Sequence, residues 1–165
     1  MTAAANACVT ATGLAKRWTS PTYSFELRVP TLLLRRGDIV AVLGVSGSGK
    51  STLLDILATA LRPDELESFR IYGADDQVVE VDSLWERKDL DALAAFRARN
   101  LGYIPQSGAL LSFLTVRENI ALPLRLSGTV LEGRAEELAG RLGIREHLDK
   151  YPKALSVGER QRVAI

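Results

Sequence analysis

The chain is 165 residues long with 47% hydrophobic and 25% charged residues, the make-up of one ordinary globular domain rather than of a disordered or fibrous chain. Its 21 basic and 20 acidic residues are scattered and leave a net charge of +1, so no electrostatic footprint for nucleic acid or an anionic membrane stands out. Cys8 is the single cysteine, which excludes an intrachain disulfide and a cysteine metal cluster, and no stretch approaches the roughly 18 apolar residues of a spanning helix.

The start, MTAAANACVT, lacks the basic and apolar regions of a secretion signal, and Cys8 reads as a small apolar residue rather than a lipid anchor. In Tyr23 to Pro30 the positions Tyr23, Phe25, Leu27 and Val29 alternate with Ser24, Glu26 and Arg28, the period of a half-buried strand. Ile39 to Leu43 is an unbroken apolar run and predicts a central strand covered on both faces. It leads directly into Gly44. Lys50 to Leu61 favours helix and is stopped by Pro63.

Arg70-Ile71-Tyr72 and Val78 to Val81 flank a Gly73-Ala74-Asp75-Asp76 turn and predict a hairpin. Asp82 to Arg99 reads as helix, with Leu90, Leu93 and Phe96 near one face, and Leu101 to Ile104 as a short strand closed by Pro105 and Gln106. The later half is helical. Three capping-box patterns, Thr115-x-x-Glu118, Thr129-x-x-Glu132 and Ser156-x-x-Glu159, each open a helix, and Gly143 closes the one carrying Leu131, Ala135, Leu138 and Leu142.

Gly44-Val45-Ser46-Gly47-Ser48-Gly49-Lys50-Ser51 matches G-x-x-x-x-G-K-[ST] at every fixed position. The loop must turn so tightly that successive backbone N–H groups converge on one anion, which calls for glycine where a β-carbon would block the turn or the phosphate. The helix that follows, through Thr52, adds its unpaired N-terminal N–H groups and the positive end of its dipole. Lys50 supplies a point charge for the β- and γ-phosphates of ATP, and the Ser51 hydroxyl suits a Mg²⁺ that keeps most of its waters. A chance match in a chain of this length is on the order of 1% or less.

Three further segments narrow the class. Leu101-Gly102-Tyr103-Ile104-Pro105-Gln106, followed by Leu110 to Ile120, resembles the Q-loop region of ATP-binding cassette (ABC) ATPases. Leu155-Ser156-Val157-Gly158-Glu159 and the residues to Ile165 resemble that family's LSGGQ signature and its helix. Gly13 to Trp18 stands in the place of its aromatic A-loop, and Ala121-Leu122-Pro123-Leu124 is most similar to cassettes of lipoprotein-release and macrolide-export type. The resemblance runs from about Val9 to Ile165, with the motifs in family order.

The fold it implies is α/β: a P-loop NTPase core of RecA type with an antiparallel β subdomain and a helical subdomain. Residues of about 9–61 would form the β subdomain and P-loop core, and about 107–165 the helical subdomain with the signature. The site it implies places Trp18 on adenine, Gly44, Ser46, Gly47, Ser48, Gly49, Lys50, Ser51 and Thr52 on the phosphates, and Ser51 and Gln106 at Mg²⁺, with Lys50 and Gln106 serving catalysis. Ser156, Gly158 and Glu159 would act in trans on ATP bound to an opposing cassette. Trp18 also reads as a half-buried strand-edge aromatic, Gln106 as a polar turn residue, and Ser156 as a helix cap alone. Val157 stands where the family has glycine and Glu159 where it has glutamine; Glu159 still closes the capping box. His147 reads as a surface helix residue.

The resemblance implies the ATPase subunit of a membrane transporter, peripheral on the cytoplasmic face, with permease subunits and a second ATPase subunit as partners and no nucleic acid. The residues the family uses as Walker B, D-loop and switch would follow Ile165, so this stretch reads as the N-terminal portion of one nucleotide-binding domain, weak in nucleotide binding and without efficient hydrolysis by itself. Two other classes stay open: a non-catalytic nucleotide-binding regulatory module, suggested by Val157, and a cassette ATPase acting without a membrane partner.

Overall fold

The computed structural model describes residues 6–73, 77–106, 108–126, 128 and 133–165. The expected Gly73–Asp76 turn falls partly, and the Thr129-x-x-Glu132 capping box and Leu131 fall wholly, outside the described residues. Two compact units form, Met1–Leu101 and Gly102–Ile165.

The first unit is built on a long hairpin. Strands β1 (Ala7–Ser20) and β2 (Tyr23–Arg35) pair antiparallel from Ala7↔Arg35 to Ser20↔Tyr23, and Pro21 and Thr22 make the turn between them. Strand β3 (Ser68–Tyr72) joins the other edge of β1, and β4 (Val78–Glu80) pairs with β3, so the sheet runs β2-β1-β3-β4 and is antiparallel throughout. The alternation read from Phe25 to Pro30 holds: Phe25, Leu27 and Val29 are half-buried, while Ser24, Glu26, Arg28 and Pro30 are exposed. Helices α1 (Lys50–Leu57), α2 (Val81–Glu86) and α3 (Leu90–Asn100) complete the unit.

Its core gathers Leu14 from β1, Phe69 and Ile71 from β3, Ile56 from α1, Trp85 from α2, and Leu93 and Phe96 from α3. The Phe69 and Trp85 rings lie 5.7 Å apart at 47°, a tilted pair of the kind aromatic quadrupoles favour. Removing each large apolar side chain from water contributes about 2 kcal/mol, so this cluster is what holds α1 against the sheet.

Helix α1 ends at Leu57, earlier than the expected Leu61. Thr59 is buried and left-handed at φ 56°, and Arg97 of α3 donates to its carbonyl at 3.0 Å, so a side chain from another helix takes over an acceptor at this helix end. The single helix expected over Asp82–Arg99 is two. Lys88 at φ 56° breaks it, and Asp89 caps α3 by accepting from the Ala92 N–H at 3.0 Å. Leu93 and Phe96 are buried, whereas Leu90, in the first turn of α3, stays 68% exposed.

Two expected strands do not form. Ile39 to Leu43 is neither paired nor covered, with Ile39 101% and Leu43 88% exposed, and Leu101 to Ile104 is likewise unpaired. An apolar run becomes a buried strand only when neighbours take both of its rows of backbone donors and acceptors. Among the described residues neither run finds such a neighbour: the sheet is β2-β1-β3-β4, and neither run joins its edges.

The second unit is helical, with α4 (Val116–Leu126), α5 (Arg134–Arg141), 3₁₀ turns at Arg145–His147 and Pro152–Ala154, and α6 (Val157–Ala164). Val116, Ala139, Ile144, Leu148, Leu155 and Val163 form its core. Gly143 closes α5 at φ 64°, with the Ile144 N–H donating to the Ala139 carbonyl at 2.9 Å.

The uncovered run carries an expected outcome. The chain should self-associate at high concentration through Ile39 to Leu43, and Ile39→Lys with Leu43→Lys should reduce light scattering while leaving the circular dichroism unchanged, since neither side chain touches the core.

Candidate functional site

The loop from Gly44 to Gly49 ends at Gly49, the N-cap of α1, which is left-handed at φ 87°. A β-carbon there would lie 2.6 Å from Cζ of Phe25 and 3.4 Å from Cδ1 of Leu27, so the β2 side chains occupy the space that any other residue would need. Only glycine meets both demands. The first hydrogen bond into α1 runs from the Leu53 N–H to the Gly49 carbonyl at 2.8 Å. The N–H groups of Lys50, Ser51 and Thr52 are therefore first-turn donors with no acceptor inside the helix. Lys50 Nζ donates to the carbonyls of Gly44 at 2.9 Å and Val45 at 2.7 Å, which holds the ammonium against the loop. Ser46, Gly47, Ser48 and Ser51 are exposed. A helix N-terminus with uncommitted N–H groups and a lysine ammonium on the preceding loop is chemistry suited to an anion.

Trp18 stands opposite Phe25 in the β1–β2 ladder, so the two side chains share a face and Phe25 links the tryptophan's strand to Gly49. The Trp18 ring is 46% exposed, with Lys16 Nζ 5.2 Å from its centroid. Lys16 is itself anchored by Asp64 at 2.8 Å, and Asp64 also accepts from the Arg17 N–H at 2.7 Å. The Lys16 ammonium, followed by the Arg17 amide, holds the Asp64 carboxyl below its ordinary range.

The remaining candidates belong to the second unit. Gln106 is exposed on a turn closed by the Gly108 N–H donating to the Pro105 carbonyl at 2.8 Å, and Ser107 beside it lies outside the described residues. The loop that follows is tied down by Asn119. Its Nδ2 donates to the carbonyls of Leu111, Leu114 and Thr115 at 3.1, 3.1 and 2.9 Å, and its Oδ1 accepts from the Leu111 N–H at 2.8 Å. No role was assigned to Asn119 from the sequence. The signal was there in outline: it is a polar residue at a buried position of α4, between Val116 and Ile120. Along the loop it ties, Leu110 packs against the core while Phe113 is 72% exposed.

Both capping boxes within the described residues close. Thr115 opens α4 with its N–H donating to Glu118 at 2.7 Å, and Ser156 opens α6 with its N–H donating to Glu159 at 2.7 Å. The Glu159 N–H returns a bond to Ser156 Oγ at 3.3 Å, and the Ser156 hydroxyl in turn donates to the Glu159 carboxylate. Val157 and Gly158 fill the first turn, where their N–H groups have no acceptor within α6, and the Val157 side chain is 65% exposed. His147 is not on a surface helix, as expected, but in a 3₁₀ turn, mostly buried, with Nε2 3.2 Å from Glu159 Oε1.

An aromatic on the β1–β2 hairpin, a glycine-closed loop opening α1, a tied loop after a glutamine and a serine-capped helix follow one another along the chain. Residues 27–165 match the family described as ABC transporter. The chain belongs to that family.

Among the cassette's relatives is the macrolide export ATP-binding/permease protein MacB 1 of Aeromonas hydrophila, 42% identical over 137 residues, covering 81% of this chain and 20% of that protein. Another is the macrolide export ATP-binding/permease protein MacB of Bradyrhizobium diazoefficiens, 41% identical over 138 residues, covering 82% of this chain and 20% of that protein. The chain thus spans about a fifth of the length of these relatives. The fold is shared with a dimeric bacterial ABC transporter cassette at a TM-score of 0.78 and 27% identity, covering 95% of this chain and 67% of that one. It is also shared with a dimeric ATP-binding cassette in a post-hydrolysis state bound to ADP and Pi, at 0.77 and 27%, covering 94% and 66%. The expected P-loop NTPase class with an antiparallel β part and a helical part is therefore correct, as is the likeness to macrolide-export cassettes.

Two outcomes follow from this geometry. Gly49→Ala should lower stability by about 2 kcal/mol or more, through a left-handed alanine and the collision with Phe25, measured as a fall in the denaturation midpoint; Phe25→Ala with Gly49→Ala should recover none of the conformational part. The carboxyls of Glu118 and Glu159 are held below their ordinary range, first by the N–H and then by the hydroxyl of Thr115 and Ser156 respectively. A carboxyl whose folded pKa is depressed contributes stability that is full above its unfolded value and is lost as pH falls through the folded one. Tm should therefore hold steady down to about pH 5 and decline below about pH 4, with a shallower decline in Glu118→Gln.

Proposed function

We propose that the chain is the P-loop and signature part of an ABC transporter ATPase, binding ATP through Gly44–Thr52 and coupling its hydrolysis to transport through a separate permease domain or subunit. The observation that carries this reading is the junction at Gly49, which opens α1 with the Lys50, Ser51 and Thr52 N–H groups uncommitted while the Lys50 ammonium rests on the preceding loop. Trp18, exposed on the face shared with Phe25, stacks on adenine, since a tryptophan ring accepts the π-face of any base.

Mg²⁺ fits the donor types present: the Ser51 hydroxyl is an exposed hard oxygen at the loop's edge, suited to a cation that retains waters, and Gln106 carries an exposed amide oxygen of the kind the same cation takes. When bound, the cation offsets charge on the β- and γ-phosphates. Ser156, by turning its hydroxyl hydrogen away from Glu159, and Gly158, with an amide free of α6, donate to the γ-phosphate held by a second cassette. The dimeric neighbours and the ATP-binding/permease relatives support such a pair and its permease. The exposed Phe113 on the loop after Gln106 suits a permease contact on the inner membrane face, and among the described residues no helix is long and apolar enough to cross a membrane. We propose further that residues 1–165 alone bind ATP but turn it over poorly, because no described strand flanks Ile39 to Leu43 to bring an acidic group beside Ser51.

ATP titration of the chain should show binding that Lys50→Ala weakens at least about tenfold, the worth of one charge-assisted hydrogen bond, and that Trp18→Ala weakens for ATP and GTP alike. Binding indifferent to Lys50→Ala would sink this reading.

A further inference from the structure

His147 is the one histidine of the chain, and its ring bridges two elements of the second unit. On one side Lys150 Nζ lies 3.1 Å from Nδ1. An ammonium has hydrogens and no lone pair, so Nδ1 must be the acceptor and cannot carry a proton. The imidazole proton then sits on Nε2, which is 3.2 Å from Glu159 Oε1. The other oxygen of the same carboxylate, Oε2, takes the Ser156 N–H at 2.7 Å. Glu146 reaches only to 3.7 Å of Nε2 and is mostly exposed, so the bond to Glu159 is the shorter of the two.

We infer that His147 and Lys150 are positioning residues for the signature turn: Lys150 sets the imidazole as the Nε2–H tautomer, and that hydrogen, with the Ser156 amide, requires two acceptors on residue 159. A carboxylate has them. A glutamine side chain has one oxygen, so either Ser156 or His147 would lose its acceptor, and the opposite tautomer would place an N–H against the Lys150 ammonium. Glutamate at 159 is thus matched to His147 and Lys150 rather than being a neutral exchange for glutamine.

The consequence reaches the first turn of α6. With both carboxylate oxygens engaged, the Ser156 backbone is fixed at the cap, and its Oγ accepts from the Glu159 N–H while its hydroxyl turns toward the same carboxylate. The imidazole, only 12% exposed, thereby ties the 3₁₀ turn at Arg145–His147 to the residue that aims Ser156. The use of this arrangement rests on the reading of Ser156 and Gly158 as donors to a phosphate, but the bonds themselves can be measured without nucleotide.

The test is nitrogen NMR of the whole chain with its histidine labelled, where one ring is read without assignment. The wild type should show a neutral Nε2–H tautomer alone. Glu159→Gln and Lys150→Met should each bring in the second tautomer, and amide exchange at Ser156 should rise about tenfold in Glu159→Gln, as expected for one lost bond to a charged acceptor. His147→Gln, which keeps a donor, should restore slow exchange at Ser156 that His147→Phe loses. A wild-type ring that populates both tautomers overturns the proposal, whatever the variants do to stability; so does a tautomer unmoved by both substitutions. Whether added ATP shifts the Ser156 amide tests the phosphate reading alone.

Discussion

The ring of Phe25 lies where a side chain at position 49 would stand, and the entry of the Gly44–Gly49 loop into α1 depends on that exclusion. Because nothing larger than a hydrogen fits at Gly49, the chain can leave β2 and the loop and enter α1 with its first three amides uncommitted. The same β2 face carries Leu27 and Val29 toward the core, so the hairpin that supports the loop is held by the burial that stabilises the whole first unit. Moving the hairpin would cost core contacts as well as loop geometry, which couples recognition to folding stability.

The second unit meets a comparable need by a different device. It has no glycine at its signature cap. A serine and a glutamate instead satisfy each other's backbone amides, and the glutamate's remaining oxygen is held by a ring from an adjoining turn. Asn119 does similar work at the loop after Gln106, with one amide side chain answering four backbone groups. In both places a short polar side chain replaces secondary structure as the source of order, as expected where backbone must be fixed but cannot join a ladder.

What was legible in the sequence was local. The glycine-led start of a helix at Lys50, the alternation of Phe25, Leu27 and Val29, and the two capping boxes among the described residues each depend on residues within a few positions of one another, and each is where it was read. What was not legible depended on distant partners. Ile39 to Leu43 has the composition of a buried strand, but composition does not supply the neighbours that make one, and the run lies uncovered. The early end of α1 needs Arg97, and the burial of His147 needs Glu159, separations at which one sequence carries no pattern. The break at Lys88 followed from a turn residue in the left-handed region, which lysine adopts too seldom to be expected there.

Lys50 is not a loose cation, since its ammonium already rests on the carbonyls of Gly44 and Val45. Its third hydrogen faces Ser48 Oγ, 3.4 Å from Nζ, so an anion that engages the ammonium displaces internal partners, and the net gain is a difference between old and new bonds. A small anion that reaches only the lysine exchanges like for like and is held weakly. A ligand long enough to meet the α1 amides as well gains donors that had no prior partner. A loop held this way would favour a ligand by how many of its groups it engages at once, more than by how much charge it bears.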